Sequence, residues 1–203
     1  MPIPSSNLLH FHPRRLWRNC ENAFRRFCFV LQCKIHHIEC RFGSNSSICG
    51  SRVTSKGSGS ICIGDNCIIR NCTFGFYGVS GKIVLGNGST VNARPDARTG
   101  FYVKDGTTIT LGERCLISNS VEIATTDWHR MVDEDGHMLN GNQDVFIGEH
   151  VWICRRVLIG KGVSIGSDSV VGAGSIVTKA FPKNRLLIAG NPAVVKKQNI
   201  LWK

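Results

Sequence analysis

The stretch VFIGEHVWICRRVLIGKGVSIGSDSVVGAGSIVTK, residues 145–179, decides the fold. A branched aliphatic residue stands at every sixth position: Ile147, Ile153, Ile159, Ile165, Val171 and Val177. Four positions after the first five of these stand smaller residues: Val151, Val157, Val163, Ser169 and Ser175. A period of six matches neither the 3.6-residue period of a helix nor the alternation of an ordinary strand. It is typical of short strands joined by tight corners, and it predicts an all-β protein, a parallel β-helix with one continuous core.

The rest of the chain is arranged around this solenoid. We expect an N-terminal arm over residues 1–60, the β-helix over residues 61–190 and a basic tail over residues 191–203. Apolar residues at helical spacing predict a helix from Pro13 to about Lys34; they are Leu16, Cys20, Phe24, Phe27 and Leu31. This helix either caps the open end of the β-helix with its apolar face or lies on anionic lipid. Asn191 and Pro192 are residue types that begin helices, so we expect a short C-terminal helix.

Charge and cysteine usage restrict the classes of partner. Residues 1–41 carry seven Lys/Arg against two acidic residues, residues 179–203 carry six against none, and the middle balances twelve against twelve. No nucleic-acid-binding motif accompanies this charge, so we expect two local anion contacts and no nucleic acid. The ten cysteines include no CxxC pair, and Cys67 and Cys115 fall at inward positions of the repeat. Without a secretory signal or membrane-length apolar run, we expect a cytoplasmic protein with reduced thiols.

The six-residue pattern stops over residues 125–144, TTDWHRMVDEDGHMLNGNQD. A long polar loop between two regular coils is unusual, and loops held on rigid scaffolds often carry function. We therefore expect this loop to carry function.

Three segments together resemble the hexapeptide acyltransferases: IGEHVWI (147–153), VGAGSIVTK (171–179) and AGNPA (189–193). The resemblance covers roughly residues 61–197 and is closest to the branch of maltose, galactoside and capsular-polysaccharide O-acetyltransferases. It implies a left-handed coil, a homotrimer, and active sites in the grooves between subunits.

The resemblance also implies that His129, in the loop, is the catalytic base. Imidazole exchanges a proton near neutral pH, so it can deprotonate a hydroxyl that attacks a thioester. His137 and His150 are the alternative histidines. Asp127 is the first candidate for orienting the imidazole, and Glu122 is the second.

For acetyl-CoA, the resemblance implies contacts from Trp152, Ala173, Thr178 and Lys179, and from Lys196 near the phosphates. Trp152 is predicted to face outward, where it lines the groove or packs at the trimer interface. Two further arginines, Arg155 and Arg156, replace the small residues usual in the family, and they either meet an anionic acceptor or face solvent. No metal is expected.

These features predict an acetyl-CoA-dependent O-acetyltransferase acting on a sugar hydroxyl of a bacterial surface polysaccharide or its lipid-linked precursor. One alternative is N-acetylation of a nucleotide-linked amino sugar. The other is a β-helix binding or scaffold module without catalysis. Peripheral contact with the inner face of the membrane would suit the basic N-terminal helix.

Overall fold

A computed structural model describes residues 13–203, with side chains from residue 20 onward. The expectations for residues 1–12 and for the side chain of Leu16 lie outside the described residues. Helix α1 spans Pro13–Ile35. The strands, in chain order, are β1 (Ile38–Phe42), β2 (Ser47–Cys49), β3 (Arg52–Ile63), β4 (Ile68–Arg70), β5 (Cys72–Leu85), β6 (Thr90–Asn92), β7 (Thr99–Lys104), β8 (Thr108–Leu111), β9 (Leu116–Ile117), β10 (Glu122–Ala124), β11 (Val145–Ile147), β12 (Trp152–Ile153), β13 (Leu158–Ile159), β14 (Ser164–Ile165), β15 (Val170–Val171), β16 (Ile176–Val177), β17 (Leu187–Gly190) and β18 (Ala193–Lys197).

The strands stack in parallel on three faces of a solenoid. Face 1 comprises the first parts of β3 and β5, then β7, β10, β13 and β16. Face 2 comprises β1, the last parts of β3 and β5, then β8, β11 and β14. Face 3 comprises β2, β4, β6, β9, β12, β15 and β17. We call the corner where the chain passes from face 1 to face 2 the loop edge, because residues 125–144 leave the solenoid there, between β10 and β11.

The core confirms the six-residue reading. All six aliphatic positions of the opening stretch, from Ile147 to Val177, have no exposed surface. Each stacks on its counterpart in the neighbouring coil, as Ile123, Ile159 and Val177 do on face 1. Such columns bury one aliphatic side chain per strand, which is how stacked repeats share a core. The small inward positions also behave as expected, and Cys67 and Cys115 are buried free thiols.

The coils begin earlier than residue 61, where the repeats become recognisable in the sequence. β1 at Ile38 already pairs with β3. β3 and β5 run across the corner between faces 1 and 2 as strands of 12 and 14 residues, so their inward residues are not spaced by six. The early coils therefore keep the six-residue spacing only at other corners, as from Ile63 to Ile69 and from Leu85 to Val91, although they belong to the same solenoid.

Helix α1 caps the N-terminal end of the solenoid, but with a different face from the predicted one. Phe29 and Cys33 are buried, and the Phe29 ring packs edge-on against Phe42 and Phe74, with centroids 6.1 and 5.7 Å away. The predicted face is instead exposed, because the helix packs on β1, β2 and β3 with the stripe that carries Phe29 and Cys33. The exposed side chains are Phe24, Phe27, Leu31 and Ile35. Within residues 13–203, no helix has the length and apolar character needed to cross a bilayer.

The predicted C-terminal helix is wrong. Residues Ala193–Lys197 form strand β18, which pairs antiparallel with β17. As the final strand of face 3, β17 would otherwise present unpaired backbone N–H and C=O groups. β18 satisfies that edge, and the β-branched Val194 and Val195 suit a strand.

Candidate functional site

The loop of residues 125–144 is closed at its base by hydrogen bonds between its ends. Thr125 is buried; its hydroxyl lies 2.6 Å from that of Thr107, and its carbonyl accepts from the N–H of Gln143 at 3.0 Å. Farther out, Val132 and Met138 form an antiparallel bridge. The loop is therefore a long excursion with a fixed base and a folded tip.

Trp128 anchors the loop to face 1. Its backbone has a φ of +70°, and its ring packs edge-on against Tyr77 and Tyr102, with centroids 5.1 and 5.4 Å away. The Lys104 ammonium donates to the Trp128 carbonyl at 3.3 Å. These contacts determine where the next residue, His129, leaves the solenoid.

His129 lines a cavity of about 210 Å³ at the loop edge. Lys104, Thr126 and Asn140 are among the other lining residues. The His129 side chain is exposed, and its main chain is held from both sides: the N–H donates to the Asp127 carbonyl at 2.8 Å, and the carbonyl accepts from Asn140 Nδ2 at 2.8 Å. Among residues 20–203, the imidazole has no side-chain hydrogen bond, so both ring nitrogens can reach a substrate.

The carboxylate of Asp127 contacts groups other than the imidazole. Oδ2 lies 2.5 Å from Lys161 Nζ and accepts from Asn140 Nδ2 at 3.2 Å. The Lys161 ammonium also donates to the Asn140 carbonyl at 2.8 Å. Asp127 therefore connects the base of the loop to the next coil. Glu122, the second candidate, lines a different cavity on face 1.

Lys161, Asn140 and Lys104 are site residues that the sequence reasoning missed. Lys161 occupies the loop edge one coil beyond the loop, and Thr178 and Lys179 occupy the same edge one coil farther, after β16. The period of six places corners on a common edge at every third strand, and that signal could have identified Lys161. Asn140 had no such signal, because it lies inside the irregular loop.

The predicted CoA contacts are distributed around the solenoid. Trp152 is on β12 in face 3, beside Leu116 and Val170 of the neighbouring coils. Ala173 is exposed at the corner between faces 3 and 1, and Lys196 is exposed on β18. Within one chain, Thr178 and Lys179 therefore lie on the loop edge, as His129 does, whereas Trp152 lies on face 3.

Trp152 is half-buried, because the C-terminal Trp202 packs next to it with ring centroids 6.0 Å apart. Trp202 also stacks on His150 at 4.0 Å and donates from Nε1 to the His150 carbonyl at 3.0 Å. His150 Nδ1 lies 2.9 Å from Asp168 Oδ1. These contacts give His150 a structural environment at the corner between faces 2 and 3.

His137 is at the exposed loop tip, where Nδ1 lies 3.2 Å from Asp133 Oδ2. Asp133, Asp135 and His137 place one ligand atom each within 4.8 Å of the others. All three side chains lie toward solvent, and exposed groups of this kind are common without a metal ion.

Comparison with known proteins agrees with this architecture. Residues 144–179 match the family described as bacterial transferase hexapeptide (six repeats). The chain is 35% identical over 164 residues to a polysialic acid O-acetyltransferase of Escherichia coli O1:K1 / APEC, covering 80% of this chain and 44% of that protein. It is 39% identical over 104 residues to the galactoside O-acetyltransferase of Escherichia coli strain K12, covering 50% of each. The chain thus spans about half the length of these relatives.

Among solved structures, the polySia-specific acetyltransferase NeuO aligns with a TM-score of 0.58 and 33% identity, covering 82% of this chain and 83% of that one. The predicted fold, a left-handed parallel β-helix with one helix near the N-terminus, is thereby confirmed.

Proposed function

The chain belongs to the hexapeptide-repeat acyltransferase family, and on that premise we propose that it transfers an acetyl group from acetyl-CoA to a hydroxyl of a bacterial surface polysaccharide or its precursor. The relatives named as polysialic acid and galactoside O-acetyltransferases support a sugar hydroxyl as the acceptor. The observation that carries the proposal is the position of His129. Its exposed imidazole, without a side-chain partner among residues 20–203, lines a cavity on a loop held rigidly at its base.

In this reaction His129 accepts the proton of the sugar hydroxyl, and the oxygen attacks the thioester carbonyl of acetyl-CoA. The C–S bond of the tetrahedral intermediate then breaks. The imidazolium returns its proton to the departing thiolate, which leaves as the CoA thiol. General-base assistance of this kind contributes about 10²–10⁴-fold.

Asp127 contributes by holding the loop to Lys161, which keeps His129 in place. Thr178 and Lys179 follow the same edge and provide backbone and ammonium contacts for CoA. Lys196 meets a phosphate, and Ala173 meets the pantetheine arm. Trp152 lines the groove. The C-terminal segment suits a polyanionic co-substrate, since residues 179–203 carry six Lys/Arg and no acidic residue.

The active protein is a homotrimer in this proposal, with each site between two subunits. The loop tip supports it: Met131, Val132, Met138 and Leu139 are 50–65% exposed in one chain. An apolar cluster at the end of a loop marks a contact surface. A neighbouring subunit covers it and brings its face 3, with Trp152, toward His129.

The proposal places the enzyme in the cytoplasm at the inner face of the membrane. Ten free cysteines suit a reducing compartment. The exposed stripe of α1 (Phe24, Phe27, Leu31 and Ile35) supplies an apolar surface. The full chain should float with vesicles containing phosphatidylserine, the Phe24→Ser/Phe27→Ser double variant should not, and Val79→Ser, exposed elsewhere, should behave as wild type. Absence of wild-type flotation would reject the membrane contact.

The transfer itself is tested by mass spectrometry with acetyl-CoA and a panel of bacterial glycans and nucleotide-linked amino sugars, followed by mild alkali. We expect an added acetyl that alkali removes, because esters are labile and amides are not. His129→Ala should lower the rate about 10²–10⁴-fold. His137→Ala, at the loop tip, is the matched control.

An alkali-stable product would show that an amide forms on an amino sugar, and it would contradict the proposed O-acetylation. If His137→Ala and not His129→Ala removes activity, the assignment of the base is wrong. If no product forms and CoA does not bind, the chain is a binding module with this fold.

A further inference from the structure

Another cavity, of about 300 Å³, opens on face 1 and shares no lining residue with the His129 cavity. Its lining includes Arg52, Thr73, Arg98, Gly100, Tyr102 and Glu122. These residues lie on or beside neighbouring strands, since Arg52, Thr73, Gly100 and Glu122 are register partners in β3, β5, β7 and β10. The cavity is therefore part of the rigid solenoid.

Two guanidinium groups converge in this cavity. Arg52 Nε and Arg98 Nε both donate to the Thr73 hydroxyl at 3.2 Å. Arg98 Nη2 also donates to the carbonyls of Gly50 and Cys72, at 2.8 and 2.7 Å. The Arg98 side chain is thus held in place by backbone carbonyls. Arg52 lies close to it because both guanidinium groups donate to the Thr73 hydroxyl.

No carboxylate in residues 20–203 forms an ion pair with either arginine. Burial, and then the charge of Arg52, lower the pKa of the Arg98 guanidinium below its ordinary value. Glu122 lies in the same lining, so the cavity retains a net charge of about +1. Two adjacent cations without a paired carboxylate suit an anionic ligand, and guanidinium groups match carboxylate and phosphate geometry.

Tyr102 adds an aromatic wall and a hydrogen-bond donor. Its ring lies against Gly75 and Gly100, where an added Cβ would come within 2.5 and 2.4 Å of ring atoms. Glycine at these positions is therefore what lets the ring lie on the sheet. Burial, and then the charge of Glu122, raise the pKa of the Tyr102 phenol, so it remains protonated and can donate near neutral pH.

We propose that Arg52, Arg98 and Tyr102 form a subsite for an anionic group of the acceptor glycan, outside the sugar unit that His129 deprotonates. The anion is a carboxylate of a neighbouring acidic sugar unit or a phosphate of the glycan's carrier. This inference rests on the proposed function and specifies its substrate class as an anionic oligosaccharide.

Strand β7 connects this subsite with the catalytic cavity. Gly100, Tyr102 and Lys104 alternate onto the same side of the strand, Gly100 and Tyr102 in the anion cavity and Lys104 in the His129 cavity. Four residues of strand span about 13 Å. An extended oligosaccharide crossing Trp128 and Tyr102 would contact both sites, whereas a single sugar unit would not.

The test measures binding to the full chain by calorimetry, without acetyl-CoA. The probes are a sialic acid oligomer, the same oligomer with its carboxyl groups reduced to alcohols, and inorganic phosphate. Wild type should bind the carboxylated oligomer at least about tenfold more tightly than the reduced one. Arg52→Gln should remove that difference, and Arg70→Gln, an exposed arginine on face 3, should preserve it. Glu122→Gln should strengthen binding of the carboxylated oligomer.

The two oligomers could bind alike while inorganic phosphate binds in a way that requires Arg52. That result would support the subsite and identify the phosphate of the glycan's carrier as its ligand. Equal binding of both oligomers together with no Arg52-dependent phosphate binding would overturn the proposal. So would an Arg52→Gln variant that behaves as Arg70→Gln. Because Arg52 is exposed, its variant should unfold at the wild-type temperature.

Binding and transfer separate the two proposals. His129→Ala should keep the Arg52-dependent binding, since its imidazole is in the other cavity. If the protein transfers acetyl to a glycan and Arg52→Gln does not change the KM for that glycan, the proposed enzyme activity is supported and the anion subsite is rejected. If the carboxylated oligomer binds in a way that requires Arg52 but no acetyl is transferred, the anion subsite is supported and the proposed enzyme activity is rejected.

Discussion

At the scale of single residues, His129 depends on Asn140 for its position. Asn140 is buried and makes three side-chain hydrogen bonds: Nδ2 donates to Asp127 Oδ2 and to the His129 carbonyl, and Oδ1 accepts from the Met131 N–H at 2.7 Å. One amide side chain thus organises the loop on both sides of the histidine. Glu134, in the same loop, is exposed, and within residues 20–203 its side chain makes no hydrogen bond or ion pair.

We expect Asn140→Ala to lower kcat/KM about 10–100-fold, because a histidine displaced by about 1 Å loses alignment with the hydroxyl. Steady-state kinetics and hydrogen exchange of the loop amides measure the effect. Exchange should accelerate over residues 127–139 and remain unchanged in the core coils. Glu134→Ala is the control. Normal exchange and kinetics in Asn140→Ala would show that the loop is held by other contacts.

Buried thiols couple stability to alkaline pH. Burial raises the pKa of Cys115 to about 11, from an ordinary value of 9.0. It raises that of Cys72 to about 12. Between pH 9 and the native pKa, the unfolded thiol loses its proton and the native thiol keeps it, so the unfolded state is favoured progressively.

For Cys115, we expect this effect to remove about 1.4 kcal/mol of stability per pH unit between pH 9 and 11. Denaturant unfolding of wild type and Cys115→Ala across this range measures it, and the variant should show a shallower fall. Cys20→Ala, which changes an exposed thiol, should retain the wild-type slope. Parallel slopes for wild type and Cys115→Ala would contradict the prediction.

At the scale of elements, α1 has two faces with different roles. The buried face, with Phe29 and Cys33, closes the core of the solenoid, and Phe29 continues a stack that runs through Phe74 to Phe101. The other face presents large apolar side chains to solvent. The buried face of the helix therefore stabilises the fold, and the exposed face offers a contact surface.

Phe29→Ala should lower the free energy of unfolding by about 3–5 kcal/mol, because it leaves a cavity over the first coils. Phe27→Ala should change it by no more than about 0.5 kcal/mol, because that ring is largely exposed. Denaturant unfolding of both variants at neutral pH provides the comparison. Similar losses for both would mean that Phe27 is also covered, as in an assembly that buries the outer stripe.

At the scale of the whole molecule, one chain does not bring the predicted site residues together. His129 is at the loop edge, between faces 1 and 2, and Trp152 is on face 3. The faces of a rigid solenoid cannot approach one another, so only a second subunit can complete this set. The proposed trimer supplies that subunit.

Mixing His129→Ala and Trp152→Ala subunits should restore activity that neither variant has alone. After unfolding and refolding together, random assembly gives roughly a quarter of the wild-type number of intact sites. The assay is acetyl transfer, with light scattering to measure the trimer mass. Variants refolded separately and then combined are the control. A mixture as inactive as its parents would indicate that each site lies within one chain.

The sequence alone determined that the chain forms a solenoid and where the loop of residues 125–144 interrupts it. The reason is that the strands on either side of the loop, from β8 to β16, obey the same local rule of one branched aliphatic residue per strand and a tight corner, so a departure such as residues 125–144 is conspicuous. The role of His129 as the base stays a prediction, and it came from the family resemblance together with its place in that loop.

Only the tertiary structure decided which surfaces meet. The buried face of α1 depended on the shape of the solenoid end, and the strand at residues 193–197 depended on the open edge of β17. Likewise, Lys161 meets Asp127, and Arg52 meets Arg98, because stacking brings residues that are distant in sequence to one edge or one face. Local periodicity specifies each coil, whereas contacts between coils depend on the register of neighbouring strands. Where a strand runs across a corner, the six-residue pattern does not encode that register.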